Sequence, residues 1–121
     1  MNAACTINIR PGVRFVGEAV PESIVIDFRI SLDGRQIMAL DVESARGRKP
    51  SPADFESFPV APGTHILAVE STRGGASFTR KLAIDKPVWV QIEFTWVDPG
   101  HPRARERGLT VQTFDRPTCY R

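Results

Sequence analysis

Long hydrophobic runs are missing from these 121 residues. Nothing approaches the roughly 18 consecutive apolar positions that a membrane-spanning helix needs. Cysteine and histidine are scarce, with two of each. Neither H-x-x-x-H nor C-x-x-C spacing occurs, and no carboxylate cluster supplies ligands in their place, so no metal centre is expected. Phosphate-binding glycine loops and the G-x-S-x-G elbow are missing too, which excludes two common routes to catalysis and leaves no cofactor implied. One-sided charge is also lacking. The net +2 does not by itself imply a polyanionic partner. No basic n-region leads into an apolar stretch, so no intact signal peptide is expected. Helical periodicity is hard to find; Pro52-Ala53-Asp54-Phe55-Glu56 would make one turn at most.

What is present is alternation. Ten prolines and nine glycines sit mostly between apolar runs. Val13 to Ala19 forms a first run after Pro11-Gly12. In the next, Ile24, Ile26, Phe28 and Ile30 share one face, while Asp27 and Arg29 point away. Asp33-Gly34 is the preferred two-residue hairpin signal, and Met38, Leu40 and Val42 line the return strand. Residues 43–56 read as a loop, and Ser57 to Val60 as a short strand. Thr64 to Ser71, Ala76 to Ile84 and Val88 to Val97 follow, separated by Arg73-Gly74-Gly75 and Asp85-Lys86-Pro87. A polar loop at 98–108 precedes a last strand around Leu109, Val111 and Thr113. The expectation is one all-β domain over residues 1–121: an antiparallel two-sheet β-sandwich of seven or eight strands, with a barrel as the competing closure.

Several residues stand out from this frame. His65 shares parity with Leu67 and Val69 and reads as a partly buried imidazole with one hydrogen bond. His101 reads as solvated. Basic side chains gather at Arg46, Arg48 and Lys49 and again at Arg103, Arg105 and Arg107. If each turn reverses the chain, both groups share one end of the fold with Arg73, as an anion-attracting surface or simply as solvated loops. Nucleic acid would also want aromatic rings near these charges, and neither loop supplies a clear set. Trp89 faces away from Val88, Val90, Ile92, Phe94 and Trp96. With Val97 and Val16 or Val25 it would form a patch for a protein or a sugar ring, unless another segment covers it. Cys5 and Cys119 are free thiols in a reducing compartment. In an oxidising one they are placed to staple the chain ends, because the first and last strands run in opposite directions. A lipid-modified Cys5 is a third reading.

Leu32-Asp33-Gly34 at a hairpin, followed by Phe58-Pro59-Val60-Ala61-Pro62-Gly63-Thr64-His65-Ile66-Leu67-Ala68-Val69, resembles the PEGA and carboxypeptidase-regulatory-like modules over roughly residues 24–94. The tetrapeptide P-E-G-A itself is not there. The resemblance implies a transthyretin- or immunoglobulin-like sandwich in a non-catalytic appendage of bacterial envelope or surface proteins. It carries over no functional residue. The expected function is therefore a binding module for another protein, in the periplasm, at the cell surface or secreted. Two alternatives stay open: a carbohydrate-binding module using Trp89 or Trp96 as a platform, and a small enzyme or enzyme subunit with acids and arginines in its end loops.

Overall fold

The computed structural model describes residues 5–16, 23–45, 55–98, 100, 102 and 108–116. They contain eight strands: β1 (Cys5–Val16), β2 (Ser23–Leu32), β3 (Arg35–Ala45), β4 (Glu56–Val60), β5 (Gly63–Ser71), β6 (Ala76–Ile84), β7 (Val88–Val97) and β8 (Gly108–Phe114). Two four-stranded sheets result, one in the order β4-β1-β7-β8 and the other β3-β2-β5-β6. Their apolar faces meet in a single core, so the domain is the all-β sandwich that the alternation implies. Among the described residues there is no helix.

The core is built by the period of two. Ile26, Phe28 and Ile30 of β2 and Val90, Ile92 and Phe94 of β7 belong to this core, and all six are essentially inaccessible to solvent. Each such side chain contributes about 1.5–3 kcal/mol on burial. Ile24, Leu40, Val42 and Phe78 lie on the same faces but are only half-buried. Leu40, Val42 and Phe78 belong to the edge strands β3 and β6, where the opposing sheet covers less.

Asp33 and Gly34 both have positive φ, 53° and 80°, and are flanked by the paired Leu32 and Arg35. This is the two-residue hairpin geometry that the Asp-Gly pair favours. The turn between β5 and β6 is closed differently. A Cβ on Gly74 would lie 2.5 Å from Cε2 of the buried Phe94, so glycine is required there by contact rather than by φ.

Two features differ from the sequence expectation. Pro11-Gly12 does not open β1 but lies inside it, in unbroken register with β7. The pairing of β1 with β4 stops at Ile9. Beyond that point β1 has no described neighbour on that side, so a residue without an N–H is tolerated. The second difference is direction. The β1–β7 pairing is parallel, while every other described pairing is antiparallel. Alternation specifies which face is buried; it does not specify which strand becomes the neighbour.

Candidate functional site

At the end of the sandwich where β2 turns into β3, two loops are tied by one histidine. His65 Nδ1 lies 2.5 Å from Asp33 Oδ2, and His65 Nε2 lies 2.6 Å from the carbonyl oxygen of Ala61. Asp33 is also bonded to the chain of β5: its Oδ1 accepts the Ile66 N–H at 2.8 Å, and its own N–H donates to the Ile66 carbonyl at 2.8 Å. Sequence parity led us to expect one hydrogen bond at His65; the ring makes two. Both partners are acceptors, so the protonated imidazole satisfies both by donating from each nitrogen. The hydrogen bond to Asp33, then that to Ala61, raises the pKa of His65 above its usual 6.5. The hydrogen bond from His65 lowers that of Asp33 below 3.8. In that protonated form the ring has no free lone pair with which to take a proton from a substrate. The cluster is a clasp between two turns.

The opposite end has a second clasp. Asp27 Oδ1 accepts the Arg73 N–H at 2.8 Å and the Ser71 hydroxyl at 3.1 Å, and Oδ2 accepts the Thr72 N–H at 3.0 Å. Burial pushes the Asp27 carboxyl up, but these donors outweigh it and the net shift is downward. Arg73, a candidate anion ligand, thus contributes its backbone to turn closure and leaves its side chain in solvent. It sits at the end where β3 finishes at Ala45 and β8 begins at Gly108. Arg46, Arg48, Lys49, Arg103, Arg105, Arg107 and His101 lie outside the described residues. Cys5 is a free, buried thiol paired with Val60; its suggested partner Cys119 lies outside the described residues.

The outward face of the first sheet holds Trp89. Its cross-strand neighbours are Asn8 on β1 and Phe114 on β8, and both aromatic rings are half-buried. Val97 shares the face but stands at the far end of β7 and is buried, whereas Val25 belongs to the other sheet. Trp96 faces the core and packs against it. One row from Trp89, Arg10 is 2% exposed. Its guanidinium lies 4.5 Å from the centroid of the Phe55 ring, and Nη2 donates to Gln91 Oε1 at 3.1 Å. Asn8 is buried beside it, bonded to Ser57 and to the Val88 carbonyl. Glu93 follows on the same face; its burial raises its pKa despite Arg14 at 3.9 Å. Neither Asn8 nor Arg10 is marked by the sequence. Both alternate with Ile7 and Ile9 and so read as solvent-facing; only an aromatic residue near Arg10 in space, which the linear order hides, could have given the burial away.

The outward face of the second sheet is different. On β6 Ser77, Thr79, Lys81 and Ala83 are all exposed. Ile66, opposite Lys81, is 43% exposed, and it is the exposed large hydrophobic among the described residues. Among those residues no group of three or more histidine, cysteine or acidic side chains is placed to hold a metal, and no helix is long and apolar enough to cross a membrane. Comparison with protein-family models, with curated proteins and with solved structures finds no match to this chain.

Proposed function

We propose that this chain is a non-catalytic β-sandwich module that binds another protein. The observation that carries the reading is the contrast between the two outward sheet faces. That of the first sheet is occupied by its own buried Asn8, Arg10 and Thr95. That of β5 and β6 is open, with exposed Ser77, Thr79, Lys81 and Ala83 beside Ile66. Such a face suits a protein surface better than a small ligand, which prefers a concave pocket. An envelope or secreted setting is favoured by the resemblance described above.

A photo-cross-linking residue at Thr79, with a second at Gln112 on the opposite face as comparison, tests the reading in cells that make the chain. A discrete protein adduct from Thr79, reproduced with the purified partner, is the expected result. Absence of protein adducts from both positions overturns it. A carbohydrate reading keeps one specific support: Trp89 opposite Phe114, with the exposed amide of Gln112 on the same face, would form a stacking row for a sugar. A glycan-array response abolished by Trp89→Ala would select it.

A further inference from the structure

We propose that the free edge of β6 takes an extended acidic segment of a partner protein, which adds to the second sheet as another strand. The proposal rests on the protein-binding reading and specifies where the partner sits and what it carries.

A sheet edge presents unpaired N–H and C=O groups, and proteins usually blunt it. Two of the four described edges are blunted, those of β4 and β3. β4 has five residues and contains Pro59. β3 is met by a register shift between Ile30 and Ser31, and exposes Asp41 and Glu43. β8 is shorter than β6, with seven residues, and carries no charged side chain to select a partner. β6 lacks proline, glycine and a register shift, and its charges, Arg80 and Lys81, are both basic, so they guard it against basic strands and not against acidic ones. It runs nine residues without proline or glycine, and pairs with β5 from Ala76 to Ile84 with no shift. No described strand pairs with its other side.

The chemistry of this edge is cationic. Arg80 and Lys81 are the charged residues of β6, and both are exposed. Successive residues point to opposite faces, so the two cations flank the edge from either side of the sheet. Lys81 belongs to the outward row. Arg80 belongs to the core-facing row but emerges at the rim, where Nη1 lies 3.5 Å from the Val111 carbonyl. An added strand would place two adjacent residues opposite this pair, and acidic ones are favoured there. Half-buried Phe78 and buried Leu82 lie two places to either side of Arg80, so the positions opposite them favour apolar residues. The fitting segment therefore reads apolar, any, acid, acid, apolar in the parallel sense, or its reverse in the antiparallel sense.

The same charges disfavour a second copy of this chain. Arg80 is the midpoint of Ala76–Ile84. A two-fold antiparallel pairing in full register would set Arg80 against its own counterpart, and like charges directly opposite are destabilising. The edge is thus open to a heterologous strand and guarded against itself.

The test uses the whole chain, labelled with nitrogen-15, and blocked nine-residue peptides. One alternates valine and threonine around two central aspartates; the other carries two lysines instead. The aspartate peptide is expected to shift the β6 amide signals and slow their hydrogen exchange. The R80E/K81E variant, altered only at exposed positions, is expected to keep the thermal midpoint, lose affinity for the aspartate peptide by about tenfold or more, and gain it for the lysine peptide. Silence of the β6 amides at about 1 mM aspartate peptide overturns the proposal, as does equal binding of both peptides, or shifts confined to the Trp89 row. A protein adduct in the cross-linking experiment together with a silent β6 edge removes strand addition and leaves the wider reading standing; loss of both removes both.

Discussion

Two residues give this fold opposite kinds of specificity, one by charge and one by size. Protonated His65 donates from both ring nitrogens, to Asp33 and to Ala61. Because its pKa is raised, its contribution to stability is complete below 6.5 and fades as pH climbs through the raised value. The pKa of Asp33 is lowered, so its contribution is present above 3.8 and fades as pH falls through the lowered value. The clasp is therefore strongest between the lowered value of Asp33 and the raised value of His65, and loosens outside that window on either side. An NMR titration of the His65 ring is expected to show a midpoint above 6.5 that falls back in Asp33→Asn; an unchanged midpoint would assign the shift to Ala61 alone. Gly74 acts by size. Alanine there would press its Cβ to 2.5 Å from the fully buried Phe94 ring. The expected loss is about 1–3 kcal/mol in urea unfolding. Alanine at Gly75, where φ is 62° and nothing lies within 4 Å of the added atom, costs about 1–2 kcal/mol through backbone strain alone. Equal losses at both sites, accompanied by unmoved Phe94 ring signals, would refute the contact argument.

At the level of elements, sequence legibility follows the source of the signal. The strands at Ser23–Leu32, Ala76–Ile84 and Val88–Val97 were readable because one face of each is buried and the alternation records it. The hairpin at Asp33-Gly34 was readable because only a few residue pairs accept two positive φ values. β1 was misjudged at its start, since Pro-Gly normally marks a turn, and its tolerance here depends on β4 ending early. That is a tertiary fact with no local trace. The same holds for buried Asn8 and Arg10: their partners Ser57, Phe55 and Gln91 are distant in sequence and are brought close only by the fold. The second bond of His65 is local, to Ala61 four residues earlier, and depends on how the chain turns at Pro62-Gly63. Strand pairing also predicts which truncations matter. Phe28→Ala and Phe94→Ala each remove a fully buried ring from one of the two facing sheets, and each should cost about 3–5 kcal/mol by denaturant unfolding. Phe78→Ala, on the edge strand and half-buried, should cost clearly less. A larger loss at Phe78 than at Phe28 would mean that the core is not centred between β2 and β7.

Over the whole molecule, connectivity and mechanics are linked through β7. Its two neighbours come from opposite parts of the sequence: β1 begins at Cys5 and β8 finishes at Phe114. Ile7 pairs with Val88 and Trp89 with Phe114, so the first sheet is not assembled until most of the chain is available. Non-local pairing of this kind predicts refolding on the millisecond-to-second scale. Stopped-flow tryptophan fluorescence that completes in microseconds would contradict it. The parallel β1–β7 pairing and the antiparallel β7–β8 pairing also set Thr6 and Asp115 beside the same end of β7, on its two sides. Tension applied between those two points runs across the strands, along the direction of their hydrogen bonds, and so loads one rung at a time. The first sheet should then peel open from that end at low force, rather than resist as it would if the strands had to slide past one another in shear.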